Sequence, residues 1–210
     1  MPDRSTSYLE NLGMLTEFCN EPFTDFSAGA QQEAMKAALA KVKSQLGKKY
    51  PLVIGGKHVE TDDVIVSTNP AAPKQELGRF SKATKDHAEQ AMKAALEAFP
   101  KWSAVPPVER ARYLFKVAAI MRARKHEFSA WLVYEIGKSW AEADADTAEA
   151  IDFCEFYGRE MLRLSQPHPL TALQGEENDL QYIPMGVGIV IPPWNFPLAI
   201  LVGMSTAAIV

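Results

Sequence analysis

Cysteine is nearly absent from this chain: two in 210 residues, Cys19 and Cys154. They are too few and too far apart for a disulfide framework or a thiolate zinc site. That points to a reducing, cytoplasmic setting. The four histidines, His58, His87, His126 and His168, are scattered away from ligand spacing. They read as surface residues, and no metal is expected. No Lys/Arg cluster alternates with aromatics, and a net charge of −4 gives no pull toward a polyanion, so no nucleic-acid partner is expected. The N-terminal MPDRSTSYLE lacks the apolar core of a signal peptide and is too acidic and arginine-poor for a transit peptide. Internal repeats and low-complexity segments are also missing.

Charge itself is missing from Met185 to Val210. Such a run is long enough to span a bilayer. Val187 to Ile191, however, is rich in β-branched residues and suits a strand buried on both faces. Pro192, Pro193 and Pro197 interrupt any continuous helix. The segment therefore reads as strand, irregular turn and a helix opened by Pro197, with no membrane association expected.

Upstream, periodicity predicts an amphipathic helix from Gln31 to Leu46, closed by Gly47. LVIGGKHVE (52–60) reads as two short strands around a Gly-Gly turn, and VIVSTNP (64–70) as a strand ending in a turn. Thr84 is a plausible cap for a helix through Ala98, and Pro106 and Pro107 open another. A helix over His126 to Ile136 stops at Gly137, a left-handed cap. The long helix of 139–162 has an acidic first half that suits its dipole. Two short apolar segments between Leu170 and Tyr182, joined by QGEEND, predict a hairpin.

GVGIVI (186–191) has two glycines of a dinucleotide fingerprint but not the third, and lies at the start of a strand rather than after one. It fails as a phosphate loop. Cys154 sits mid-helix beside Asp152 and Glu155, which oppose thiolate formation, so it reads as a packing residue and Cys19 as incidental. Asn195 stands just past the carboxyl end of the expected strand, where open α/β sheets bind ligands. Its amide can donate hydrogen bonds to a developing oxyanion without carrying charge. The alternative, equally open on these grounds, is a cap for the helix opened by Pro197.

GVGIVIPPWNFPLAI resembles the signature of the NAD(P)-dependent aldehyde dehydrogenase superfamily. EPFTDF (21–26), YPLVIGGKHVET, STNPAAP and LVYEIGKSWAEADADTAEAIDFCEFY resemble its 1-pyrroline-5-carboxylate dehydrogenase branch, whose members act on L-glutamate γ-semialdehyde. The similarity runs from about Glu17 to Val210. It implies an α/β fold, the incomplete N-terminal part of a Rossmann-like cofactor-binding domain. The implied organisation is a helical extension over 1–50, the front of the cofactor domain over 51–166, an oligomerisation hairpin over 167–185, and the first strand and helix of the core over 186–210.

The resemblance also implies site roles. Asn195 would stabilise the oxyanion of a thiohemiacetal on a catalytic cysteine. Ile191, Pro192, Pro193 and Trp194 would line the nicotinamide end of an NAD site. Phe196 would border the substrate tunnel, and Glu135 would lie near the substrate, although it reads equally as an exposed helix carboxylate. Family members are over twice this length, and their nucleophile, general base and glycine-rich turn match nothing here. The chain is thus expected to be an inactive fragment of an NAD-dependent enzyme of proline catabolism, a homo-oligomer joined through its hairpin. The alternatives are another aldehyde substrate, or a non-catalytic assembly module.

Overall fold

A computed structural model describes residues 15–210 of the chain; the start of the expected 1–50 extension lies outside them. Met35, Ala38 and Val42 repeat at helical spacing on α1 (Gly29–Lys43), and that apolar stripe is buried against Ala130 and its neighbours Trp131, Val133 and Tyr134. Gly47, with φ of 78°, turns the chain into β1 (Lys48–Tyr50). Next come β2 (Leu52–Ile54) and β3 (Lys57–Val59), a hairpin as expected. Its Gly55 and Gly56 have φ of 56° and 76°, the left-handed pair that a two-residue turn demands.

The remaining strands, β4 (Val64–Asn69) and β5 (Ala72–Ser81), form a sheet of order β1-β5-β4, with β1 parallel and β4 antiparallel to β5. Neither β1 nor β5 was legible from alternation. Tyr50 stacks on Phe80 at 5.0 Å between ring centres. The Tyr50 ring also covers Gly78, where an added Cβ would come within 2.9 Å of it. These contacts, rather than local pattern, fix the pairing.

Helix ends follow local chemistry. Thr84 opens α2 (Lys85–Ser103) through a reciprocal cap with His87, whose Nδ1 accepts from the Thr84 N–H at 3.1 Å. Pro107 occupies the first turn of α3 (Pro107–Ala123). Gly137, at φ 71°, ends α4 (Lys125–Ile136). Ser139 and Glu142 form a capping box for α5 (Trp140–Leu164).

The main core joins Leu114, Ala118 and Met121 of α3 to Ala150, Ile151 and Cys154 of α5 and to Ala199 of α6 (Ala199–Ile209). Burying an Ile- or Leu-sized side chain contributes about 1.5–3 kcal/mol. Close approach needs small residues at two points. An added Cβ at Gly158 would lie 2.6 Å from Phe115, and one at Gly203 would lie 2.8 Å from Phe153. Trp102 Nε1 donates to the Ile209 carbonyl at 2.8 Å, anchoring the far end of α6.

Two expected elements form no ladder. The 167–185 hairpin and the Val187–Ile191 strand are unpaired, and Ile189 and Ile191 are 73% and 79% exposed rather than buried on both faces. A strand needs hydrogen-bonded neighbours, and none of β1 to β5 pairs with this stretch. Among the described residues, no helix is long and apolar enough to cross a membrane.

Candidate active site

A buried carboxylate is costly unless paired and hydrogen-bonded. The acidic half of α5 meets that demand by tying other segments to itself, which the helix dipole alone does not explain. Asp144, 1% exposed, accepts from Lys125 Nζ at 3.1 Å and from the Thr24 N–H and hydroxyl at 2.7 and 2.6 Å. Asp152 accepts from the Glu21 N–H at 2.7 Å, and Glu21 in turn pairs with Arg122 at 2.7 Å. The EPFTDF stretch is therefore a strap laid across α3 to α5.

Asp146, fully buried, uses both oxygens. One accepts from Lys138 Nζ at 2.7 Å, the other from the Ala199 N–H at 2.7 Å. Asp146 thereby caps α6 from a different helix. Ile200 N–H donates to the Phe196 carbonyl at 3.1 Å, so Pro197 lies in the turn that leads into α6, two residues ahead of its first residue and close to the expected helix-opening position.

Asn195 lies exposed just ahead of that turn. It does not cap α6: no side chain of its own turn does, and the cap belongs to Asp146. Lys138 Nζ lies 3.8 Å from the centre of the Phe196 ring, a cation–π contact. Among the described residues, no backbone–backbone hydrogen bond engages 177–195. Ile191, Pro193 and Trp194 are exposed and Pro192 is half-buried. This run offers free carbonyls and flat apolar surface, which fit a nicotinamide carboxamide and ring but not a diphosphate. Glu135 sits in the last turn of α4, three residues before Lys138. It reaches solvent, yet the protein around its carboxyl pushes the pKa upward.

Other candidates drop out. Cys154 is fully buried, and burial, with Glu155 adding to it, pushes its thiol up to about 11. It is a packing residue, as the sequence implied, and Cys19 is an exposed free thiol. Among the described residues, no group of three His, Cys, Asp or Glu side chains is placed to hold a metal ion. A cleft of about 650 Å³ lies between the Glu21–Ala28 strap and the α3–α4 junction, and holds none of the expected site residues. Several of its charges pair with one another: Glu127 accepts from Arg124 and Lys41, which hold its carboxyl at about 2.

Sequence reading missed Lys138 and Asp146. The available signal was an aspartate among positions otherwise apolar and small, Ala143, Ala148, Ala150 and Ile151, which a helix of this length was bound to bury.

Comparison with known proteins bears on the family to which the chain belongs. The model of the aldehyde dehydrogenase family matches residues 57–210. A 1-pyrroline-5-carboxylate dehydrogenase of Geobacillus thermodenitrificans is 56% identical over 94% of the chain, and one of Bacillus thuringiensis is 54% identical over the same share. The chain spans 38% of the length of each. A solved Thermus 1-pyrroline-5-carboxylate dehydrogenase with bound NAD superposes with a TM-score of 0.88 at 47% identity, over 93% of this chain and 39% of that one. Proline utilization A from Bdellovibrio bacteriovorus superposes equally well, at 0.88 and 43% identity, over 90% of this chain and 20% of its own. With a family match that begins within β3 and runs through the Asn195 turn to Val210, the chain belongs to the aldehyde dehydrogenase family.

Proposed function

We propose that the full-length enzyme carrying this chain oxidises L-glutamate γ-semialdehyde, the open form of 1-pyrroline-5-carboxylate, to L-glutamate with NAD. The observation that carries the chemistry is the Asn195 amide, exposed and free of the capping duty that a helix start would otherwise impose. An uncharged donor aimed at a carbonyl oxygen stabilises the negative charge that develops on nucleophilic attack. Identity of 56% to a relative named for this substrate supports the choice of aldehyde.

In this reading Asn195 donates to the developing oxyanion. Ile191 to Trp194 hold the nicotinamide end of NAD through backbone carbonyls and ring surface. NAD, when bound, supplies the acceptor for the hydride leaving the aldehyde carbon. Phe196 borders the aldehyde, and Glu135 meets the substrate ammonium directly or through water. The nucleophile and general base belong, in this proposal, to the length that the relatives have and this chain does not span. The 167–185 segment pairs with another subunit, making a homo-oligomer. Two free thiols suit a cytoplasmic enzyme.

The test is Asn195→Ala in the full-length enzyme. Loss of one oxyanion donor lowers kcat about a hundredfold, or about 3 kcal/mol, with NAD affinity within a few-fold. Retention of kcat within a few-fold overturns the assignment. For the substrate, Glu135→Ala should impair glutamate semialdehyde turnover more than that of an unsubstituted short aldehyde; equal losses would remove Glu135 from substrate recognition.

A further inference from the structure

We propose that Lys138 and Asp146 are positioning residues that hold the Asn195–Phe196 turn in register with the end of α4. The inference rests on the oxyanion reading of Asn195 and concerns what sets that amide's place.

Nothing local sets it. Asn195 and Trp194 make no backbone–backbone hydrogen bond among the described residues, and no side chain of the turn caps α6. What holds the turn comes from the α4–α5 connection, which carries Lys138, and from the first half of α5, which carries Asp146. Asp146 grips the Ala199 N–H with Oδ1 and Lys138 Nζ with Oδ2, both at 2.7 Å. The same ammonium lies 3.8 Å from the Phe196 ring, so it is held between a carboxylate and an aromatic face. Phe196 is then pinned twice, by its ring on Lys138 and by its carbonyl on the Ile200 N–H at 3.1 Å. Asn195 is the residue immediately before that pinned point.

The pair is also buried where an ion pair is a poor way to gain stability. Asp146 is fully buried, and the Lys138 side chain is 12% exposed. Apolar residues of similar size often stabilise such a position as well or better. What the ion pair adds is direction: a carboxylate with two fixed donors tolerates one arrangement, whereas a greasy contact slides. Lys138 follows Gly137, whose φ of 71° turns the chain out of α4, and Glu135 lies in the last turn of that helix. One short connection therefore carries both the group proposed to meet the substrate ammonium and the lysine that fixes the turn bearing the oxyanion donor.

The test uses the full-length enzyme with Lys138→Met, Lys138→Arg and Phe196→Leu, reading steady-state kinetics, NAD affinity and amide hydrogen exchange over 195–203. Misplacing a catalytic group by about 1 Å costs up to a hundredfold. Lys138→Met should therefore lower kcat at least about tenfold, leave NAD affinity within about twofold, and speed exchange across the turn. Lys138→Arg, which keeps the charge and can lie over the ring, should recover most of the kcat. Phe196→Leu keeps the ion pair and folds on easier terms; it should speed exchange at 195–198 alone.

Unchanged kcat in Lys138→Met, with only a lower melting temperature, overturns the proposal and leaves a structural ion pair. So does unchanged exchange over 195–203. If Asn195→Ala retains its kcat, the oxyanion reading fails on its own evidence, and the exchange data then decide whether the turn is held by Lys138.

Discussion

Between Lys125 and Leu164 the buried polar groups, His126 Nδ1 excepted, find partners among segments present in the chain: Asp144 with Lys125 and Thr24, Asp146 with Lys138 and Ala199, Ser129 with Thr147. Between Gln166 and Phe196 most side chains stand open. Ile183, Met185 and Trp194 are 81%, 104% and 83% exposed, and the backbone from 177 to 195 is unpaired among the described residues. The α4–α5 region is closed by its own side chains, a strap from residues 20–26, and the packed faces of α3 and α6. The later segment has the composition of buried strands but none of their partners, and contiguous exposed apolar surface marks a place of contact. Residues that serve the proposed chemistry sit at the seam: a turn anchored from the closed side that carries a run left open.

The sharpest way to break this contrast is Asp146→Ala. It strands the Lys138 charge and the Ala199 N–H together, and removing one partner of a buried pair costs about 3–5 kcal/mol in urea denaturation. A loss below about 1 kcal/mol would mean that the closed region is not closed by its ion pairs.

Gly158→Ala tests packing in the same region. The new Cβ would meet the Phe115 ring at 2.6 Å. Overpacking outweighs the gain in helix propensity, for a net destabilisation of about 1–2 kcal/mol by thermal melting. A gain in stability would show that α3 and α5 can separate freely.

Ser139→Ala removes the capping box at the start of α5 and should cost about 1 kcal/mol. Urea unfolding of this variant, with Glu142 left in place, reads the cap directly.

Acidification probes the contact between α1 and α4. The carboxyl of Glu127, held at about 2 by Arg124 and Lys41, lies below its ordinary 4.5. Its folded pKa is depressed, so its contribution is fully present above pH 4.5 and fades as pH falls toward 2. Glu127→Gln should flatten the stability profile in that window by about 1 kcal/mol, and an unchanged slope would assign the acid sensitivity elsewhere.

Met185→Ala is the smallest expected effect. In the 210-residue chain it should change stability by less than about 0.5 kcal/mol, as surface substitutions do. A larger loss would show that the open segment already packs, and the two regions would no longer differ in kind.

Helix ends and the hairpin turn were legible in the sequence because their causes are local. Thr84, Pro107, Gly137 and the Gly55–Gly56 pair each act on neighbours a few residues away. The strands β1 and β5 were not legible, since KKY and APKQELGRF carry little alternation and owe their pairing to Tyr50 packing over Gly78. Val187 to Ile191 was legible as strand composition, but a ladder is a property of two strands. In the candidate site, Asn195 was legible as an isolated amide in an apolar run, and the family motif around it was legible too.

Sequence alone thus determined where most helices begin, though not that α1 stops at Lys43 rather than Leu46 or that α2 runs on from Ala98 to Ser103. It also determined the absence of a thiolate-ready cysteine at position 154 and the motif that marks the family. Only the tertiary structure decided that the acid capping α6 is Asp146, 53 residues upstream, and that Asn195 is free of that duty. The physical reason is range. Caps and turns are set within one helical turn, whereas a buried carboxylate is satisfied by whichever donors the packed helices bring to it.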